Sequence, residues 1–160
     1  MSWTNFFDAI FLVNLAKRED RLLAFTEDAE KYGIPFTRIE AIEDTQGARG
    51  LRDTMKGIFE QAISQNWRNI LVFEDDADFP VSPEDFNHTM NEVINQLPEN
   101  YHICFLGAQL TVPPSFFHSP NLLCGQKMFS THAVAYSLQG MKEILSNNFD
   151  YPIDLSLIHI

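Results

Sequence analysis

Cysteine is scarce in this chain: Cys104 and Cys124 are the only two. They share no CxxC spacing and have no histidine cluster nearby, which excludes the usual zinc frameworks. Both are expected to be small buried thiols of a reducing compartment. Basic residues are also short, with 11 Lys and Arg against 22 Asp and Glu and a net charge of -11. No basic run exists, so binding to nucleic acid by neutralising phosphates is excluded. An acidic chain that takes an anionic ligand needs a few placed Arg or Lys, or a bound cation. Long apolar runs are absent too. The most apolar N-terminal stretch, FFDAIFLVNL, carries Asp8 and Asn14 and lacks both a basic start and a small-residue cleavage site. The reading is a cytoplasmic protein, at most peripherally attached at the inner face of a membrane. Internal repeats, low-complexity segments and linkers are likewise missing, so residues 1–160 read as a single domain.

What is present supports a packed interior: 45% of residues are hydrophobic, and 14 are Phe. AIFLVNL, residues 9–15, reads as a buried strand. Leu22, Phe25, Ala29 and Tyr32 recur at helical spacing, with Gly33 as a C-terminal cap. IPFTRIEAI alternates as a second strand, and EDTQGARG reads as a polar loop. Beyond Gly50, Met55, Ile58, Phe59, Ala62 and Ile63 mark a second helix, broken by residues 66–69. NILVF is the third strand and DDADFP a loop. Ser82, Pro83 and Asp85 open a third helix as cap, first position and third position. Its apolar stripe is Phe86, Met90, Val93, Ile94 and Leu97. YHICFLG reads as a fourth strand, the proline-rich TVPPSFFHSPN as a loop, FSTHAVAYSL as a strand and QGMKEILSNN as a short helix. Strands alternating with helices predict an α/β fold with a mostly parallel central sheet flanked by helices.

Ligands of open α/β sheets bind at the carboxyl ends of strands. Glu74, Asp75 and Asp76 stand at that end of the third strand, followed by Asp78. Adjacent carboxylates repel, and a divalent cation relieves the repulsion. Oxygen ligands suit Mg2+ or Mn2+, which typically bridge one or two carboxylates to substrate phosphates. A solvated acidic turn is the plain alternative. A phosphoacceptor receiver domain shares the local string, but its acceptor Asp is missing: YHICFLG ends in Gly107 and Ala108.

The chain as a whole resembles glycosyltransferase family 25, the lipooligosaccharide-type sugar transferases related to collagen galactosyltransferase domains. The similarity runs in order through FLVNLAKREDRL, GLRDTMKGIFEQA, NILVFEDDADF, ICFLGAQ, HAVAYSLQGMKEIL and YPIDLSL, and covers nearly all of the sequence. It implies a GT-A-like, Rossmann-like nucleotide-diphosphosugar transferase fold. It also implies inverting transfer of a hexose, often galactose from UDP-galactose, to a glycan acceptor such as lipooligosaccharide. Glu74 and Asp76 match the metal-binding acidic signature, with Asp76 the leading ligand for Mn2+ or Mg2+. Glu74 or Asp75 is then expected to contact the ribose or the ion's water shell. Asn14, Arg18 and Arg21 are placed near the nucleotide, and Asp154 on the acceptor side.

Two departures bear on activity. Thr54-Met55 stands where the family has Ser-His, and Met can neither ionise nor donate a hydrogen bond. Family members also continue beyond the position of Asp154, so the acceptor half is expected to be trimmed. These departures favour a second reading, a degenerate module that binds nucleotide-sugar without turnover. A third is an interaction domain whose acidic turn is only solvated.

In the transferase reading, Asp154 is the candidate base for the acceptor hydroxyl; a helix N-cap after Pro152 is the equal alternative. Arg18 and Arg21 supply positive charge near the phosphates, or merely a solvated first helical turn. Arg49 and Arg52 are weaker candidates. His102, His118, His132 and His159 are scattered and read as structural or exposed, although His159 stands where a late metal-ligating His is found in some GT-A enzymes. Tyr136 and Phe129 read as core. The PPSFFHSPN loop suits a lid or a partner contact.

Overall fold

The computed structural model describes residues 2–107, 113–125 and 132–147, and the backbone of residues 109–110 and 128–129. A short 3-10 helix, Trp3–Phe6, leads into β1 (Ala9–Asn14), α1 (Glu19–Tyr32), β2 (Thr37–Glu40), α2 (Gly47–Ser64) and β3 (Asn69–Glu74). Next come α3 (Pro83–Gln96), β4 (Ile103–Phe105), β5 (Gln109–Leu110), β6 (Phe116–Ser119) and β7 (Leu122–Cys124). The remaining elements are β8 (Met128–Phe129), β9 (Ala133–Ser137) and α4 (Leu138–Ser146). The segment YPIDLSLIHI, with Asp154 and His159, lies outside the described residues, as does the side chain of Phe129.

The fold is α/β. Five strands form one mixed sheet in the order β2-β1-β3-β9-β4, whose core, β2-β1-β3, is parallel. Period-two alternation divides the strand side chains between two helical layers. Leu12, Leu71 and Phe73 pack with Phe25, Ala29 and Tyr32 of α1 and with Met90 and Val93 of α3. Phe11, Val13, Ile70 and Val72 face Met55, Ile58, Phe59 and Ala62 of α2 and Met141 of α4. Burying each Val, Leu, Ile, Phe or Met among them contributes about 1.5–3 kcal/mol, so both faces of the parallel core are held firmly.

The helix boundaries have local causes. Gly33 ends α1 in a left-handed conformation, φ 69°, with its N–H on the carbonyls of Ala29 and Glu30. Ser82 caps α3 by accepting from the Asp85 N–H at 3.1 Å, with Pro83 at the first position. The Asp85 carboxylate meets the Ser82 hydroxyl at 2.7 Å instead of completing a capping box.

Three expectations need correction and one needs refining. The sheet is mostly parallel as expected, with β2, β1, β3 and β4 running one way, but β9 enters antiparallel between β3 and β4. No helix lies between β4 and β9 among the described residues, and an antiparallel neighbour needs no crossover helix. The second strand is only four residues long and forms a charged, mostly exposed edge. The polar loop ends early: Gly47–Gly50 already belongs to α2. Gly50 serves close packing, since a Cβ there would lie 2.2 Å from the Ile42 carbonyl oxygen. Finally, part of the proline-rich stretch is a hairpin, β6 paired with β7. Pro120 sits in its turn, where no ladder N–H is lost.

Gly140 is the second close approach. A Cβ there would meet the His102 carbonyl oxygen at 2.2 Å, fixing α4 against the chain entering β4. Gly57, exposed within α2, has open space around it. Gly140→Ala is therefore expected to lower unfolding free energy by about 1–3 kcal/mol, and Gly57→Ala to raise it by about 0.5–1 kcal/mol. Urea denaturation of the two variants checks the contrast; equal effects would refute it.

Candidate functional site

The parallel strands β1 and β3 end side by side, with Val13 opposite Glu74. One step further places Asn14 beside Asp75. Asn14 is buried, at 1% exposure. Its amide nitrogen donates to Asp75 Oδ2 at 2.8 Å and to the Arg18 carbonyl at 3.0 Å. Its oxygen accepts from Arg38 Nε at 3.0 Å. Arg21, in the first turn of α1, donates to Asp75 Oδ1 at 2.8 Å. Both oxygens of Asp75 are thus engaged, and its side chain is only 12% exposed.

The three carboxylates do not point one way. Alternation sends Asp75 to the α1/α3 side, with Phe73, and Glu74 to the α2/α4 side, with Val72. The Glu74 charge acts there on Tyr136, whose hydroxyl pKa is raised chiefly by burial and further by that carboxylate. Asp76 lies past the strand end. Its Oδ1 meets His132 Nδ1 at 2.7 Å, and Arg21 Nη1 stands 3.7 Å from Oδ2. Asp76 and His132 both line a cavity of about 520 Å³.

The remaining nucleotide-side expectation, Arg18, is held by Asp20. Two hydrogen bonds of 2.9 and 2.8 Å join them. Those bonds raise the guanidinium pKa and hold the Asp20 carboxyl at about 2. Asn14, Arg18, Arg21, Asp75 and Asp76 therefore belong to one cluster at the carboxyl end of the parallel core, with Glu74 on its far side. Asp154 lies outside the described residues.

Among the described residues, no three His, Cys, Asp or Glu side chains group to hold a metal ion. An ion carried mainly by a diphosphate needs only one or two protein carboxylates. His132 Nδ1 is hydrogen-bonded to Asp76 Oδ1 at 2.7 Å, so it orients the carboxylate instead of offering a lone pair, and an ion here would be held by Asp76, whose oxygens suit Mn2+ or Mg2+. Asp75, with both oxygens taken, does not add to it.

Two participants escape the sequence reading. His132 precedes an apolar run and looks isolated until β9 pairs antiparallel with β3, which sets the His132 carbonyl on the Glu74 N–H at 2.9 Å. Arg38 reaches Asn14 because β2 and β1 are in parallel register, Leu12 beside Arg38. Nothing local in the sequence signals either pairing.

Thr54 and Met55 have structural roles. Met55 is in the core against α2's face of the sheet. Thr54 is buried; its hydroxyl donates to the Gly50 carbonyl at 2.8 Å and accepts from the Ile42 N–H at 2.8 Å. Cys104 and Cys124 are free thiols, and burial pushes the Cys104 pKa up to about 11.

Compared with known proteins, the chain matches no protein-family model and no curated protein. Thr54→Val keeps the shape but strips the Ile42 N–H of its acceptor, a loss expected to cost about 1–3 kcal/mol. Thr54→Ser keeps the hydroxyl and is expected to cost clearly less. Thermal unfolding of the pair reads the difference, and equal losses would show that the hydroxyl is not what matters.

Proposed function

We propose that this chain is a metal-assisted, inverting glycosyltransferase with a GT-A-like fold, of the family 25 type. Its donor is a nucleotide-diphosphosugar, UDP-galactose first among candidates, and its acceptor a glycan such as lipooligosaccharide. The reaction is placed in the cytoplasm, at the inner face of a membrane. Among the described residues, no helix is long and apolar enough to cross one.

One observation carries the reading: neighbouring carboxylates at the end of β3 have different fates. Asp75 is locked by Asn14 and Arg21, whereas Asp76 stands at a cavity with an imidazole beside it. A purely solvated acidic turn gives no reason to bury one carboxylate and aim the next at a cavity.

Departure of a nucleoside diphosphate leaves negative charge on its terminal phosphate. A divalent ion held by Asp76, with His132 beside it, would supply Lewis-acid stabilisation of that charge. Asn14 and Asp75 fix the strand ends, so Asp76 does not have to be ordered when the ligand arrives. Arg21 keeps a positive charge 3.7 Å from Asp76, offsetting the chain's acidity at the point where a diphosphate must approach. Asp154 is the proposed base for the acceptor hydroxyl. The second reading, binding without turnover, is favoured by Met55, which fills core space where the family has a histidine.

Thermal unfolding with UDP, with and without Mn2+, tests the site. UDP with Mn2+ at a hundred times its dissociation constant is expected to add about 2.7 kcal/mol, a shift of several degrees. Asp76→Ala is expected to abolish the shift. A wild-type protein indifferent to UDP with Mn2+ would sink the proposal. UDP release from UDP-galactose in the presence of a glycan acceptor then separates the transferase from the binding module.

A further inference from the structure

The cavity beside Asp76 and His132 has walls unlike the rest of the surface of so acidic a protein. Phe73, Phe86, Met90, Leu106 and Leu122 line it. Its volume, about 520 Å³, lies within the range of small-molecule sites. One wall comes from a stretch with no Asp, Glu, Lys or Arg between Tyr101 and Gln126, in a chain whose net charge is -11.

Another part of the lining, the loop after β3 with Phe79 and Val81, is braced by α1. Phe79 stacks on Tyr32 with ring centroids 4.7 Å apart, and the Tyr32 hydroxyl donates to the Val81 carbonyl at 2.5 Å. The loop after β3 is thereby fastened to α1 and does not fold into the space. The hairpin is tied at its turn, where the Asn121 N–H donates to Gln96 Oε1 at 3.2 Å.

Polar groups also line it: Asp76, Asp78, Thr89, Asn121 and His132. Asp76 and Asp78 are carboxylic side chains, so an anionic head is disfavoured. A cationic head with no diphosphate to carry it is repelled at Asp76 by Arg21, 3.7 Å away. Hydroxyls, which both donate and accept, suit this rim.

We infer that the cavity binds the apolar portion of a neutral amphiphile, an alkyl or aryl group joined to a hydroxyl-bearing head, and holds that head at Asp76 and His132. Binding of such a molecule does not depend on the transferase reading. Its identification as an acceptor, with a hydroxyl beside the donor site, does rest on that reading.

The probe is octyl β-glucoside below its micellar concentration, followed through the methionine methyl signals of the folded full chain. Met90 lines the cavity, whereas Met55 and Met141 lie on the opposite face of the sheet. The expected result is a saturable shift of Met90, with Met55 and Met141 unmoved, absent with glucose. Octanoate is expected to bind at least about tenfold more weakly, from repulsion by Asp76 and Asp78. Thr89→Trp, a change at an exposed position that fills the mouth, is expected to abolish the shift. Leu122→Trp serves if the first variant is poorly folded. No saturable Met90 shift in the wild type, or equal shifts of Met90, Met55 and Met141 together, would overturn the inference. Octanoate or octylamine binding more tightly than the glucoside would overturn the neutral-head assignment. Because no nucleotide is present, failure here leaves the UDP response as a separate question.

Discussion

The hydrogen bond from the Asn14 amide to Asp75 holds together the carboxyl end of the parallel core. It joins the last residue of β1 to the first residue beyond β3, and its two side chains also recruit Arg21, Arg38 and the carbonyl of Arg18. A fully buried amide and a nearly buried carboxylate are costly to desolvate. Here each is matched: both amide hydrogens and the amide oxygen of Asn14 are used, as are both oxygens of Asp75. Loss of any one partner strands the others. β2, β1, β3 and the start of α1 are consequently fixed in one relative position.

That constraint also resolves the crowding of acidic residues after β3. A cation is one way to relieve adjacent carboxylates, but strand geometry relieves much of it first. Glu74 goes to one face and Asp75 to the other, and Asp75 is neutralised by Arg21. Asp76, beyond the strand, remains at the cavity with His132. The acidic string is thus three residues with three environments. Only Asp76 combines exposure, a neighbouring nitrogen donor and a cavity wall.

Much of this was legible in the sequence, because period-two and period-3.6 patterns dominate where burial is two-sided. NILVF and AIFLVN are apolar on both faces and emerged as core strands; Phe25, Ala29 and Tyr32 marked the buried stripe of α1. The position of Glu74, Asp75 and Asp76 at the carboxyl end of β3 was also readable, from the abrupt end of the apolar run. The direction of β9 was not, since an apolar run carries no sign of its orientation. His132 was therefore invisible as a partner of Asp76. The hairpin was hidden by its prolines, which sit before and between the strands. Gly50 read as a loop glycine because the contact requiring it, with Ile42, is tertiary.

The most direct test is a double-mutant cycle on Asn14→Ala and Asp75→Ala, measured by urea denaturation at neutral pH. If the pair organises the strand ends, the double variant is expected to be little worse than the more damaging single variant, with a coupling of about 0.5–3 kcal/mol. Strictly additive losses would mean that the two side chains act separately. The division between a locking Asp75 and a presented Asp76 would then lose its physical basis.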